Sequence, residues 1–160
     1  MDLKIRAEID DLLATYADCI DDDRLEEWPD FFTERCLYKV IPLENEALGM
    51  PIPLMYGDSR AMLKDRVTAH RKANLFAPHI YRHVLSRPHF LGEADGAVKV
   101  RSNYAIFRTM TDSAEYGRTE LFSVGVYYDQ IVFEGGRAMF RERVAVVDTA
   151  RVQTLLVTPL

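Results

Sequence analysis

The segment "CIDDDRLEEWPDFFTERCLYKV", residues 19–40, marks the point where a helical pattern of apolar residues gives way to a strand pattern. Its first half is dense in carboxylates: Asp21, Asp22, Asp23, Glu26, Glu27 and Asp30. A calcium-binding loop would need a central glycine and a terminal glutamate, which this segment lacks. Carboxylates also suit the beginning of a helix, because they interact favourably with its dipole. We therefore interpret Asp21, Asp22 and Asp23 as the junction between two helices rather than as a cation site. Glu26, Glu27 and Asp30 would solvate the outer side of the second helix.

Apolar residues before and after this junction predict two helices. The first is marked by spacings of three and four at Ile5, Ile9, Leu12, Leu13, Tyr16 and Ile20. Asp23 and Glu26 then have the spacing of a capping box, which predicts that a second helix begins there. Its apolar face comprises Leu25, Trp28 and Phe32. Pro29 lies too deep for a first-turn proline, so we expect this helix to kink or end early.

The middle of the chain predicts a strand, a loop and a third helix. "CLYKVI" has the β-branched and aromatic content of a strand. Residues 42–57 contain three prolines and two glycines, which indicates a long loop. The third helix begins at Asp58 or Ser59 and runs to about Asn74. Its apolar side comprises Leu63, Val67 and His70.

Everything after Pro78 has the pattern of β-strands. "IYRHVLSRPHFLG" predicts a strand bent near Pro88, and three further long strands follow, with tight turns at Asp95–Gly96 and Gly135–Gly136. One strand alternates clearly, with one face formed by Val98, Val100, Ser102, Tyr104 and Ile106. Helices followed by antiparallel strands predict an α+β fold with the helices on one face of the sheet. Gly125 and Pro88 would let the sheet curl into a cone. We expect residues 1–160 to form a single domain.

Composition excludes several classes of protein. The 160 residues are 48% hydrophobic and 28% charged, which is typical of a globular protein, and the net charge of -5 argues against a nucleic-acid partner. Cys19 and Cys36 suggest no disulfide framework, so we expect a reduced, cytoplasmic protein. We find neither the apolar region of a signal peptide nor an apolar run long enough to span a membrane.

The histidines and cysteines do not predict a metal site. His79 and His83 have the spacing of helical metal ligands, but on a strand they would lie roughly 13 Å apart. A Rieske cluster needs cysteine–histidine pairs, and neither Cys19 nor Cys36 is followed by such a histidine. We therefore predict that this chain itself holds neither a metal nor a cofactor.

Acid–base chemistry remains open at this point. The interior of a cone could collect side chains from the first helix and from several strands: Tyr16, Asp18, Tyr38, His83 and Tyr104. Such groups could form an acid–base site if the pocket shifts a pKa toward neutrality. The alternative is that they are buried polar groups with satisfied hydrogen bonds, which any domain of this size contains.

Several segments resemble the small (beta) subunit of aromatic ring-hydroxylating dioxygenases, in order and over nearly the full chain. They are "EEWPDFFTERCLYKV", "YGDSRAMLKDRV", "YRHVLSRPHF", "VRSNYAIFRT" and "ERVAVVDTARVQTLLVTPL". The small subunits of terephthalate dioxygenase and salicylate 5-hydroxylase, which act with oxygenases for carboxylated arenes, look most similar.

The resemblance implies a cone-shaped α+β fold like nuclear transport factor 2 and scytalone dehydratase. It implies three beta subunits assembled with three alpha subunits, the alpha subunit carrying the Rieske [2Fe–2S] cluster and the mononuclear iron. The beta subunit has a mainly structural role in this family, so no catalytic, cofactor-binding or metal-binding residue is carried over to this chain. The competing hypotheses are a stand-alone dehydratase or isomerase using Tyr16, Tyr38 and His83, and a small-ligand binding module. The filling of the cone separates them, because an enzyme must leave a pocket with converging polar groups.

The end of the sequence, "QTLLVTPL", is an apolar tail. Terminal residues are normally polar and frayed, whereas each large apolar side chain gains about 1.5–3 kcal/mol on burial. The candidates for burial are Leu155, Leu156, Val157 and Leu160. We therefore expect this tail to dock, either on its own cone or across a subunit interface. Long apolar strands such as "LFSVGVYY", together with the family resemblance, predict self-association as a trimer.

Overall fold

In the described part of the chain, two longer and two short helical segments surround the first two strands, and five further strands follow. The computed structural model describes residues 2–50, 52–74, 76–112, 114–148 and 156–160. The helices are α1 (Leu3–Asp21), a 3₁₀ helix (Trp28–Phe31), α2 (Leu43–Ala47) and α3 (Arg60–Lys72). The strands are β1 (Phe32–Pro42), β2 (Met55–Ser59), β3 (His79–Leu85), β4 (His89–Ala94), β5 (Ala97–Met110), β6 (Thr119–Glu134) and β7 (Arg137–Val147).

The strands of the described ranges form one sheet in the order β2-β1-β7-β6-β5-β3, and β4 also pairs with β5. The pair β1–β7 is parallel, whereas every other pair in this sheet is antiparallel. Helix α1 packs against β3 and β7, and α3 packs against β1, β2 and the 3₁₀ helix. The predicted α+β fold, with helices on a curled and mostly antiparallel sheet, is confirmed.

Helix α1 forms where the apolar stripe predicted it. Its N-cap Asp2 accepts a hydrogen bond from the backbone N–H of Lys4. The stripe faces the sheet and is buried at Ile9, Leu12, Leu13, Tyr16 and Ile20, whereas Ile5 is only half-buried. At about 1.5–3 kcal/mol for each large apolar side chain, this face stabilises the helix far more than its capping does.

The predicted second helix is wrong. The structure has only the 3₁₀ helix Trp28–Phe31, and Phe32 already begins β1. Asp23 does not cap a helix, since its backbone is left-handed (φ 58°) and its carboxylate accepts from Nη1 of Arg71 at 2.8 Å. Pro29 is accommodated in the first turn of the 3₁₀ helix.

The predicted long loop over residues 42–57 is also partly wrong. Helix α2 occupies residues 43–47, and β2 begins at Met55. Ser59 is the N-cap of α3, because its hydroxyl accepts from the backbone N–H of Met62 at 3.3 Å. The predicted apolar side of α3 is confirmed, since Leu63, Val67 and His70 are buried.

The long strands and their turns follow the predicted pattern. All five residues predicted for the inner face of β5 are buried. The turns at residues 95–96 and 135–136 have positive φ angles between 53° and 78°, as tight hairpins require. At Gly125 a Cβ atom would lie 2.1 Å from the carbonyl oxygen of Val146. Glycine therefore allows β6 and β7 to approach closely where the sheet curls. Among the described residues, no helix is long and apolar enough to cross a membrane.

Candidate functional site

A guanidinium group lies at the centre of the cone. Arg143 is fully buried, and its Cζ atom lies 4.1 Å from the ring centre of Tyr16, 3.8 Å from that of Tyr127 and 4.6 Å from that of Phe140. Its charged partner is Asp129, whose Oδ2 is 3.5 Å from Nη1. Aromatic faces attract a cation most strongly where water is excluded, so these rings help to hold the buried charge.

This ion pair is poorly satisfied by hydrogen bonds. In the described parts of the chain, neither the guanidinium nitrogens of Arg143 nor the carboxylate oxygens of Asp129 have a hydrogen-bond partner. Burial raises the pKa of Asp129 to about 6, although the positive charge of Arg143 opposes the rise. A buried pair of this kind contributes little to stability, but removing one partner leaves a costly unpaired charge.

Sequence reasoning missed both members of this pair, although a signal was present. Strand alternation places Asp129 in phase with the buried Tyr127 and Ile131, and Arg143 in phase with Ala145 and Val147. A charged residue in phase with core residues on each of two strands indicates an internal ion pair.

The tail of the chain enters the same interior. Leu160 is fully buried, its carbonyl oxygen accepts from the hydroxyl of Tyr16 at 2.8 Å, and its backbone N–H donates to the hydroxyl oxygen of Tyr38 at 2.9 Å. Trp28 Nε1 donates to the hydroxyl oxygen of Tyr16 at 3.1 Å. The expected docking is therefore observed within the chain's own cone. Of the tail residues named from the sequence, Leu155 lies outside the described residues.

Three of the predicted cone-lining residues are buried tyrosines. Tyr16 and Tyr38 are bonded to the tail, and the Tyr104 hydroxyl lies 3.1 Å from Oγ of Ser123. Burial raises the pKa of Tyr16 and Tyr38 well above its usual range and that of Tyr104 to about 12. Near neutral pH these hydroxyls therefore stay protonated and act as structural hydrogen-bonding groups.

The prediction for Asp18 is wrong, and His83 has a different partner. Asp18 is exposed on the outer side of α1. The buried carboxylate is Asp21, whose Oδ1 lies 2.6 Å from Nδ1 of His83 and whose Oδ2 accepts from the backbone N–H of His83 at 2.8 Å. The acidic segment at the end of α1 therefore contains one buried carboxylate, which sequence reasoning missed. Its position four residues after the buried Ala17 was the available signal.

The Asp21–His83 contact joins the end of α1 to β3. The carboxylate bonds both the ring and the backbone of the same residue, so it fixes the position of the strand relative to the helix. The other ring nitrogen of His83, Nε2, is buried and has no hydrogen-bond partner among the residues described. Both side chains are almost fully buried, with 1% and 3% of their surface exposed, so we assign this pair a structural role.

The geometry provides no metal centre in the part of the chain that the structure covers. No group of three or more His, Cys, Asp or Glu side chains there could hold an ion. His79 Nδ1 lies 2.8 Å from the carbonyl oxygen of Ala77, while His83 is bonded to Asp21. Cys19 and Cys36 are buried free cysteines, and burial raises the pKa of each thiol to about 11.

The interior of the cone is filled by side chains. Trp28, Phe32 and Tyr38 are fully buried and meet edge to face with ring centres 5.0–5.9 Å apart. The cavity beside Trp28 and Pro159 measures about 10 Å³, which is at most the volume that one water molecule needs. An acid–base enzyme of this fold would need open space at this position.

The outer face of the sheet exposes apolar side chains. Val84 on β3, Phe107 on β5 and Leu121 on β6 are 53%, 38% and 56% exposed. Strand pairing aligns Val84 with Ala105 and Ala105 with Val124, so the apolar surface is continuous across three strands. Further exposed apolar residues lie around α2: Leu43, Leu48, Met50, Ile52 and Leu54. Contiguous surfaces of this kind are typical of protein–protein interfaces.

Comparison with known proteins gives a consistent set of relatives. Residues 16–154 match the family model described as "Ring hydroxylating beta subunit". The chain is 37% identical to the anthranilate 1,2-dioxygenase small subunit of Burkholderia cepacia, over 99% of this chain and 96% of that protein. It is 35% identical to the terephthalate 1,2-dioxygenase terminal oxygenase component subunit beta 1 of a Comamonas species, over 92% of this chain and 93% of that protein.

Solved structures agree with this. A beta subunit assigned to an aromatic-ring-hydroxylating dioxygenase of Novosphingobium aromaticivorans superposes with a TM-score of 0.86 at 41% identity, covering 98% of this chain and 97% of that one. A protein assigned as a scytalone dehydratase from the same organism gives a TM-score of 0.71 at 17% identity, covering 98% and 93%. The second likeness concerns the fold alone, and it confirms the predicted cone.

Proposed function

The chain belongs to the ring hydroxylating beta subunit family, and on that basis we propose that it is the non-catalytic beta subunit of a Rieske-type aromatic ring-hydroxylating dioxygenase. Its role is to support the assembly of the large alpha subunit, which carries out the hydroxylation. The single observation that favours a non-catalytic role is the filled cone, in which Leu160 is bonded to Tyr16 and Tyr38. The same observation argues against the dehydratase or isomerase alternative.

The cofactors of the reaction belong to the alpha subunit in this proposal. A Rieske cluster requires cysteine and histidine ligands in pairs, and Cys19 and Cys36 are separate buried thiols. The [2Fe–2S] cluster and the mononuclear iron would supply the oxygen chemistry on the alpha subunit. This chain would contribute shape and contact surface.

The substrate of the complex is proposed to be a carboxylated arene. Two relatives are named for anthranilate and terephthalate, and both compounds are benzene rings with carboxylate groups. The pocket that binds the arene would lie in the alpha subunit. We place the complex in the cytoplasm.

The exposed outer face of the sheet supports self-association, which we propose to be trimeric. Antiparallel sheets usually cover one face and leave the other polar, whereas here Val84, Phe107 and Leu121 leave an apolar face open. We propose that each chain, residues 1–160, folds as a single domain. In a trimer, the apolar sheet faces of three such chains would be buried around a three-fold axis. Light scattering of the isolated chain should give the mass of three copies, and a monomer at high concentration would contradict this.

A pull-down from the native host tests the partner. The chain carrying an affinity tag should capture a second protein with the absorption and electron paramagnetic resonance signals of a Rieske cluster. Two substitutions at exposed residues distinguish specific binding from nonspecific adhesion. Leu121→Asp, on the apolar sheet face, should reduce capture of the iron–sulfur protein. Tyr116→Asp, at a residue that is 80% exposed, should leave capture unchanged. Recovery of the chain without any iron–sulfur protein would contradict the proposal.

A further inference from the structure

A cavity of about 260 Å³ lies between the C-terminal ends of α1 and α3 and the beginning of β3. Its walls include His70, Phe76, His79, Tyr81 and Thr158. We propose that this cavity binds a small, uncharged aromatic alcohol or phenol. Its size suits a single ring with one short substituent, because a cavity of about 150 Å³ already accepts benzene. The site is separate from the assembly role proposed above and does not depend on it.

The walls of the cavity carry a row of aromatic rings. The ring centre of Phe76 lies 4.7 Å from that of His70 and 5.6 Å from that of His79, and the ring of His79 lies 4.8 Å from that of Tyr81. Phe76 is 40% exposed, so one side of the row remains open. A planar aromatic ligand would cover this apolar surface and gain offset or edge-to-face ring contacts.

The polar groups of the cavity favour a ligand that donates a hydrogen bond. Nδ1 of His79 lies 2.8 Å from the carbonyl oxygen of Ala77. A carbonyl oxygen only accepts, so Nδ1 carries the proton and Nε2 of the neutral ring is an acceptor. Burial lowers the pKa of His79 below its usual value, which keeps the ring neutral near pH 7. The hydroxyl of an alcohol or phenol would donate to this nitrogen.

His70 adds a second polar group that lacks a partner. Its side chain is only 6% exposed, Nε2 lies 2.9 Å from Oγ1 of Thr158, and Nδ1 has no hydrogen-bond partner among the described residues. A buried nitrogen without a partner costs about 1–3 kcal/mol. Nδ1 is itself excluded from solvent, so a ligand in the cavity would contact the ring of His70 rather than this nitrogen.

The charges of the cavity disfavour anions. The charged groups among its described lining residues are Asp21, Asp23 and Arg71. Nε, Nη1 and Nη2 of Arg71 already donate to Asp23 and Glu26. An incoming carboxylate would therefore meet two carboxylates and a guanidinium group that is already bound. This selectivity distinguishes the cavity from a pocket for carboxylated arenes.

Titration of the full-length chain with benzyl alcohol and with benzoate tests the proposal, since the two probes have similar size and differ in charge. Chemical shifts in heteronuclear NMR spectra should change in a saturable way at the amides of His70, Phe76, His79 and Tyr81 for benzyl alcohol. Benzoate should bind at least tenfold more weakly. Absence of saturable shifts at this cavity, or equal binding of the two probes, would overturn the proposal.

Two variants resolve the contributions of the walls. His79→Phe keeps a ring but removes the hydrogen-bond acceptor. It should weaken the binding of benzyl alcohol about tenfold and leave unchanged the binding of toluene, which has no hydroxyl group. Phe76→Ala should weaken the binding of benzyl alcohol and of toluene. Tyr116→Ala, at an exposed site outside the cavity, is the matched control and should bind as the parent does. Parental affinity of the His79→Phe chain for benzyl alcohol would also overturn the assignment.

Discussion

The backbone N–H of Leu160 donates to the hydroxyl oxygen of Tyr38 at 2.9 Å, across 122 residues of sequence. The same residue accepts from Tyr16, so the tail uses two hydroxyls that an enzyme of this fold could direct at a substrate. The cone is thus closed from within by the chain itself. This is the physical basis for assigning the chain a supporting role.

Truncating the side chain of Leu160 should destabilise the fold. Leu160 is fully buried, and Leu→Ala substitutions in cores cost roughly 2–5 kcal/mol because a cavity is left behind. Leu48→Ala, at a position that is 68% exposed, is the matched control and should change stability little. Urea unfolding of both variants measures the difference. Equal midpoints for Leu160→Ala and the parent would show that the tail does not pack in the cone in solution.

The pH dependence of stability should reveal the buried Asp129. Its folded-state pKa of about 6 lies above the unfolded value of about 3.9, so the folded chain binds more protons between these values. The contribution of Asp129 to the free energy of unfolding therefore falls as pH rises from about 4 to about 6, and is constant above.

The variant Asp129→Asn lacks this titration. Relative to the parent, its free energy of unfolding should rise by up to about 3 kcal/mol between pH 4 and pH 7, since one pKa unit corresponds to about 1.4 kcal/mol. Denaturant unfolding at several pH values measures the difference. Parallel curves for the two proteins would contradict the raised pKa of Asp129.

Two glycine substitutions should differ in cost. In Gly125→Ala the new Cβ would lie 2.1 Å from the backbone oxygen of Val146, which cannot move without breaking the β6–β7 pairing. In Gly57→Ala the nearest atom is Cδ2 of Leu63 at 2.5 Å, which is the end of a side chain that can change rotamer rather than part of the backbone. We expect a loss of about 3 kcal/mol or more for Gly125→Ala and about 1 kcal/mol for Gly57→Ala in urea unfolding. A reversed order would argue against the close strand approach at the curl.

The isolated chain should contain no stoichiometric iron. Its two cysteines are separate buried thiols, and burial raises their pKa to about 11, which disfavours the thiolate that iron–sulfur ligation needs. Elemental analysis and visible absorption of the purified chain check this. One tightly bound iron or zinc per chain would contradict the prediction.

Local periodicity was sufficient to predict most of the fold. The apolar stripe from Ile9 to Ile20 predicts α1, and the alternation from Val98 to Ile106 predicts β5. The pair Asp95–Gly96 predicts the hairpin turn before β5. Each of these depends on residues near one another in sequence. The fold-level shape then follows from packing a helix with one apolar stripe on a sheet that can curl.

Long-range contacts explain what the sequence did not predict. Asp23 has the local pattern of a helix cap, but Arg71 binds its carboxylate from 48 residues away. Asp21 has the local pattern of a residue that ends a helix, but His83 binds its carboxylate from 62 residues away. Neither partner can be found from a local pattern, since both depend on how α1, α3 and β3 meet. Of the residues suggested for the cone interior, Tyr16, Tyr38 and Tyr104 are buried, whereas Asp18 is exposed.

Reconstitution with the large subunit tests the central claim most directly. The Rieske-type protein captured by this chain would be purified alone and together with it, and hydroxylated product would be measured with a carboxylated arene as substrate. The account predicts no product from this chain alone, product from the two proteins together, and impaired assembly and activity of the large subunit alone. A large subunit that assembles and reaches full activity without this chain, or product formed by this chain alone, would contradict it.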